Sequence, residues 1–308
     1  MPDEREVRPV RLRLTVAELG LPRGSRDAPI GGDALPSTPL ARWAGARRTP
    51  CTATPGPEEA CVPGGVVWMG NALRRPGPAG GLRPRLVTMS PFLVDLREVT
   101  VADVRASGLT WDLGAGTGSD PAYGLGDAAC TYSPSAGSTD DLPVTCISQR
   151  LAQAYCQAQG KDLPTEAQHE YLEGGLRGSR YPWGEDDPAC TDAVFGRDRP
   201  RLLECSEAGF GPRPAGSGAR DFLVLGDRRV VDLAGNVGEW ARERHAPEDA
   251  PCNAPGHHVD PTCDVSAPLM AVRGGAYADV PVGLRSEVRH TAAGPGELIG
   301  FRCMRALP

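Results

Sequence analysis

Two stretches near the C-terminus decide how this chain is read: Arg273-Gly274-Gly275-Ala276-Tyr277 and Gly300-Phe301-Arg302-Cys303. Between them the chain supplies Tyr277, Asp279, Arg285, Glu287, Arg289 and His290, and no cysteine. Further upstream, in order, stand Leu142-Pro143-Val144, Ala154-Tyr155-Cys156, Leu163-Pro164-Thr165-Glu166-Ala167, Glu170-Tyr171, Tyr181-Pro182-Trp183-Gly184, Gly235-Asn236-Val237 and Glu239-Trp240. Each is a weak signal alone. Their ordered recurrence over residues 60 to 308 is specific.

Outward from these marks, two helices are predicted. Ser148 can cap a helix whose apolar face is Leu151, Ala152, Tyr155 and Ala158 and which stops at Gly160. Thr165 and Gln168 form a capping box for a second, with Glu166 set against the helix dipole and Gly174-Gly175 ending it. Strands are expected through Cys61 to Gly70 and through Pro91 to Asp95, the latter followed by Glu98-Val99-Thr100. No further strong helical period follows Gly175, and residues 107 to 142 read as a Gly, Asp and Ser-rich loop. Residues 7 to 16 alternate Val10, Leu12, Leu14 and Val16 with Arg11, Arg13 and Thr15, the period of a half-exposed strand. Residues 20 to 50 are dense in Pro, Gly, Asp and Ser and read as a linker. The expected organisation is therefore residues 1–50 as an N-terminal strand and linker, and residues 51–308 as the main domain.

Composition excludes several function classes. A hydrophobic share of 40% suffices for a substantial core, while 39 glycines and 31 prolines favour loops over a helical bundle. The net charge of -6, with arginines scattered, argues against nucleic acid as a partner. No stretch reaches the roughly 20 apolar residues of a membrane helix, so no membrane span is expected, and no signal peptide is visible in the first 30 residues.

The ten cysteines point to an oxidising compartment. Cys51 and Cys61, Cys130 and Cys146, Cys190 and Cys205, and Cys252 and Cys263 lie close in sequence and flank loop-rich segments, where each bridge would contribute about 2 to 4 kcal/mol. Cys156 and Cys303 are left over. A zinc site is the weaker reading, because no CxxC occurs and no couple has a nearby HxxxH. An extracytoplasmic location, periplasmic, cell-surface or secreted, is the expectation.

The ordered motifs resemble the formylglycine-generating, sulfatase-modifying-factor family. The resemblance implies an α+β, C-type-lectin-like sulfatase-modifying-factor fold, loop-rich with few short helices and short antiparallel strands, stabilised by disulfides and structural calcium. It pairs Cys156 with Cys303. It makes Asp232 and Glu239 side-chain ligands of calcium and Gly235 and Val237 carbonyl ligands, since calcium takes six to eight oxygens and a Gly-containing turn between two acids can supply both kinds. The alternative is a plain Gly-Asn turn with a solvated Glu239 beside Trp240. A second calcium site near Asp192 matches too loosely for named ligands. His169 stands where the family has Trp and is read as closing the core edge of the second helix, without a ligand role.

The family's oxidases place two copper-binding thiols after the Gly-Gly pair, a role hard oxygen cannot fill. None stands here, so copper is not expected and no residue is assigned a catalytic role. The related non-haem iron enzymes need an HxxxHxE helical pattern, which the five histidines, His169, His245, His257, His258 and His290, do not form. No G-x-S-x-G elbow, P-loop, HExxH or dinucleotide fingerprint occurs either. The expected protein is a pseudoenzyme of this family, acting as a binding or accessory module for a peptide, glycan or protein. Tyr277, Asp279, Arg285 and Arg289 are the candidate groove residues, although the arginines could equally form salt bridges inside the fold. The competing reading is a divergent copper or non-haem iron oxidase.

Overall fold

The computed structural model describes residues 48–70, 82–108, 130–197 and 203–307. The expected strand over residues 7 to 16 and its linker lie outside the described residues, as does much of the 107–142 loop. Within them the chain is a loop-rich α+β fold of short elements. The strand expected through Cys61 to Gly70 is two strands, β1 (Glu59–Val62) and β2 (Gly65–Met69), separated at Pro63-Gly64. β3 (Arg85–Met89) pairs antiparallel with β2, and β4 (Phe92–Asp95) pairs antiparallel with β1.

A helix absent from the sequence reading follows. Thr100 caps α1 (Val101–Ala106) through a capping box with Asp103, and the helix is too short at six residues to display a period. The two predicted helices are α2 (Gln149–Ala158), capped by Ser148, and α3 (Glu166–Glu173), where Thr165 and Gln168 form the capping box. The remaining chain forms β5 (Phe222–Leu225), β6 (Arg228–Val231), β7 (Gly238–Arg244), β8 (His257–Val259), β9 (Met270–Arg273), β10 (His290–Ala292), β11 (Ile299–Gly300) and β12 (Met304–Ala306). These strands group as β1-β4-β12, β2-β3-β8, β5-β6 and β10-β9-β7-β11.

Two large apolar clusters hold the layers together. In one, Val67, Met69, Val87 and Met89 from β2 and β3 pack with Tyr171, Leu172 and Leu176 from α3 and its exit. In the other, Val101, Val104, Ala152 and Tyr155 from α1 and α2 meet Trp240 and Phe301, and Tyr155 and Phe301 sit edge to face at 5.4 Å. Trp240 is fully buried because its indole N–H finds the Ile147 carbonyl at 2.8 Å.

All ten cysteines are bonded: Cys51–Cys61, Cys130–Cys146, Cys156–Cys303, Cys190–Cys205 and Cys252–Cys263. Bonds of this number form and persist in an oxidising environment. Cys156 and Cys303 are both completely buried inside the second cluster, where they tie α2 to the final strand. No helix of the described residues is long and apolar enough to cross a membrane.

Candidate functional site

The Gly274-Gly275 turn is dictated sterically. Both residues have positive φ, 90° and 73°, and a Cβ on Gly275 would come within 2.8 Å of the Leu284 side chain and 2.9 Å of the Gly283 carbonyl. That close approach folds the following segment back on itself. Asp279 Oδ2 accepts from the Ala276 N–H at 2.8 Å, the Tyr277 N–H donates to Asn236 O, and residues 281–284 make a 3-10 turn. Tyr181, stacked on Trp183 at 4.9 Å, donates its hydroxyl hydrogen to Pro281 O, while His290 Nε2 lies 2.9 Å from Gly283 O.

The four candidate groove residues are not gathered on one surface. Tyr277 is completely buried, edge to face with Phe210 at 5.4 Å. Arg289 is 5% exposed, and its Nε and Nη2 donate to Glu166 at 2.8 and 2.6 Å. Both therefore support the fold instead of lining a groove, because each has its partners inside the core. Asp279 is half-buried and closes the turn. Arg285 is likewise half-buried, 3.9 Å from Asp187, and the exposed Val280 and Val282 precede it on the same segment.

Beneath this surface lies a buried ionic layer created by strand order. Antiparallel β7 and β9 set Glu239 opposite Arg273, and parallel β11 sets Gly300 beside Glu239, so that Arg302 enters the same layer two residues later. Arg302 is fully buried: its Nε donates to Glu239 Oε1 and Oε2 at 2.8 and 2.7 Å, and its Nη2 donates to the Asp232 carbonyl at 2.7 Å. Arg273 donates to Glu170 Oε2 at 3.1 Å and lies 3.6 Å from Glu173. Burial pushes the Glu173 carboxyl well above the usual range, with neither oxygen hydrogen-bonded. His169 is buried in the middle of this layer and not at its edge. Burial, reinforced by Arg273 and Arg302, lowers its pKa to about 3 and keeps the ring neutral.

The turn expected to hold calcium shares Glu239 with this layer. Asp232 suits a cation ligand: it has positive φ, burial raises its pKa to about 6, Oδ2 accepts from the Gly216 N–H at 2.6 Å, and the buried Oδ1 has no hydrogen-bond partner. Glu239 does not join it as a free ligand, because both of its oxygens face the Arg302 guanidinium. Glu239 could reach a cation only by giving up that pair. Gly235 and Val237 are buried in the turn itself, where the Val237 N–H donates to Glu98 Oε1 at 3.1 Å and Asn236 Nδ2 donates to Glu98 Oε2 at 2.6 Å. No group of three His, Cys, Asp or Glu side chains among the described residues could hold a metal ion. Near Asp192, the carboxylate instead accepts from the Ala189 N–H at 2.8 Å and lies 3.5 Å from Arg220.

Glu98, Asp221 and Glu243 were missed as site residues by sequence reasoning. Glu98 was visible only as the acid of Glu-Val-Thr. Asp221 accepts the Leu233 and Ala234 N–H groups at 2.9 Å, and burial raises both carboxyls well above the usual range. Glu243 accepts the Glu166 N–H at 3.1 Å, and burial, aided by the Glu166 charge, raises its pKa from 4.5 to about 7. Folding thus favours the protonated acid, so the stability Glu243 contributes is complete below pH 4.5 and lost as pH rises through about 7. The expected loss is about 3 kcal/mol. Urea midpoints measured at pH 5 and 8 should show this decline in the native chain and a flatter profile in Glu243→Gln; equal slopes would refute the assignment.

Residues 46–307 match the sulfatase-modifying factor enzyme 1-like domain. The chain belongs to that family. Among relatives of this sulfatase-modifying-factor domain, the formylglycine-generating enzyme of Streptomyces coelicolor is 29% identical over 254 residues, covering 70% of this chain and 77% of the relative. The inactive C-alpha-formylglycine-generating enzyme 2 of Bos taurus is 28% identical over 172 residues, covering 53% of this chain and 50% of the relative. The chain thus spans about half the length of the inactive relatives it matches. In fold, PvdO from Pseudomonas aeruginosa superposes with a TM-score of 0.55 at 20% identity, over 86% of this chain and all of that one. Treponema denticola variable protein 1 gives 0.57 at 16%, over 80% and 94%. Relatives named formylglycine-generating enzyme and relatives named as its inactive counterpart both match this sulfatase-modifying-factor domain, so its own residues must distinguish between them.

Proposed function

We propose that this protein is a sulfatase-modifying-factor domain without copper-thiolate oxidase activity, working outside the cytoplasm as a binding or accessory module for a peptide, glycan or protein on a C-type-lectin-like scaffold. One observation carries the reading. All ten cysteines are consumed in five disulfides, and the interval from Ala276 to Arg302 offers no thiol. What remains beside the glycine turn is an aspartate, a histidine and carbonyl oxygens, a donor set too hard for the thiolate chemistry of the family oxidases. The exposed Val280 and Val282 beside Arg285 offer apolar contact next to a cation, which suits a ligand with an anionic group. Structural calcium belongs to the proposal, with Asp232 as its side-chain ligand and Gly235 and Val237 supplying carbonyls.

The test joins two measurements on protein exported with its disulfides intact. Elemental analysis is expected to return calcium and no stoichiometric copper, and a sulfatase-type cysteine peptide is expected to stay unconverted. Appearance of its aldehyde product at turnover would overturn the reading.

A further inference from the structure

Asp187 is an exposed carboxylate set among donors. Its side chain is 68% exposed, yet its Oδ1 lies 3.2 Å from Arg180 Nη1, 3.3 Å from the Tyr181 hydroxyl and 3.9 Å from Arg285 Nη2. None of these contacts reaches the roughly 2.7 to 2.9 Å of a charge-assisted hydrogen bond. The Tyr181 hydroxyl, moreover, donates to Pro281 O at 3.1 Å. A solvated ion pair of this kind is worth about 0.2 to 1 kcal/mol. The donors, by contrast, are held by the fold. The Ser286 N–H donates to Arg180 O at 2.9 Å and the Ser286 hydroxyl to Ser179 O at 2.7 Å, tying the segment of Arg285 to that of Arg180. Tyr181 is stacked on Trp183. The positions of the cations are therefore set before any ligand arrives.

Charge in this corner is balanced. Arg180 and Arg285 face Asp187, Glu185 Oε1 accepts the Arg180 N–H at 3.2 Å, buried Glu287 acts on Arg285 through space, and Asp186 lies 3.3 Å from Arg220. With no surplus cation, an external anion binds here only by taking the place of Asp187. The exposed Val280 and Val282 on the Arg285 segment add aliphatic contact, while Tyr181 and Trp183 are completely buried. That surface suits aliphatic side chains beside an acid better than a sugar ring, whose apolar face stacks on an exposed aromatic ring.

We infer that Asp187 is a built-in stand-in for the acidic side chain of a peptide ligand. The Asp or Glu of that peptide displaces Asp187 between Arg180 and Arg285, and its aliphatic neighbours cover Val280 and Val282. The inference rests on the binding-module reading above and names its ligand class. Displacement costs little, because Asp187 is mostly in water already and regains full hydration when it swings out.

The probes are end-capped Leu-Glu-Leu and Leu-Gln-Leu peptides, titrated into isotope-labelled native protein and followed by NMR at the Arg180 and Arg285 Nε–H signals. The glutamate peptide is expected to shift them saturably, and the glutamine peptide to leave them in place. Arg285→Gln should weaken the affinity at least about tenfold, whereas Asp187→Asn, by removing the competitor, should strengthen it about three- to fivefold. Asp186→Asn, the same loss of charge one residue away, should keep the affinity within about twofold. No saturable shift, equal binding of the two peptides, or no gain in Asp187→Asn overturns the inference. An equal gain in Asp186→Asn also overturns it, since bulk charge and not displacement would then be at work. Saturation by tetragalacturonate but not by the glutamate peptide overturns it in favour of an acidic glycan. Should Arg285→Gln fail to fold, the exposed Asp187 and Asp186 variants decide. None of these outcomes bears on copper content or aldehyde formation, so the two readings fail separately.

Discussion

Replacing Arg302 with methionine should destabilise the protein by about 3 to 5 kcal/mol, the cost of breaking a buried ion pair from one side. The guanidinium is completely buried and is the bonded cation of Glu239. Its charge also acts on Glu98, Asp221 and Asp232, whose carboxyls are raised by burial in the first instance and by mutual repulsion in part. Removing it leaves a nest of buried acids without their cation, and the carbonyls of Val231 and Asp232 lose their donor as well. Lysine should not rescue the loss, because it cannot meet both Glu239 oxygens and the carbonyls from one planar group. The double variant Arg302→Met with Glu239→Met should recover part of the loss, since Glu239 is then no longer a buried charge without its cation, while the carbonyls of Val231 and Asp232 still lack their donor. Urea denaturation of the three variants measures this directly. A single-variant cost below about 1 kcal/mol, or a double variant no better than the single, would show that the pair is not what organises the layer.

The Cys156–Cys303 bond should be the most stabilising of the five. It joins residues 147 apart, and the loop-closure entropy it removes from the unfolded chain is worth about 5 kcal/mol. The Cys51–Cys61 bond closes only 10 residues, for about 3 kcal/mol. Both sulfurs of the long bond are buried in the cluster of Tyr155, Trp240 and Phe301, so no exposed position softens the loss. The variant carrying Cys156→Ala and Cys303→Ala is expected to unfold at much lower urea than the one carrying Cys51→Ala and Cys61→Ala. Equal midpoints would mean that the unfolded chain keeps α2 and the C-terminus together without the bond.

The fold was legible wherever its signal is local. Thr165 and Gln168 cap α3 three residues apart, Ser148 caps α2, and the four short cysteine couples flank loops short enough to be read along the chain. α1 escaped notice because six residues cannot display a helical period. Strands such as β7 and β9 escaped because both faces are largely buried and their sequences do not alternate.

The candidate site was less legible. Tyr277 and Arg289 follow the glycine pair and look like surface chemistry, yet the fold turns one onto Phe210 and gives the other to Glu166, 123 residues away. The family resemblance makes Glu239 a calcium ligand, whereas its bonded cation is Arg302, 63 residues later, brought in through the pairing of β11 with β7. By itself, then, the sequence determined the family frame and the absence of thiols where the family's oxidases need them, because these depend on residue identity and order. Only the tertiary structure decided which charges are buried and which pair. Burial and charge pairing are relations between distant segments, and no local pattern encodes them.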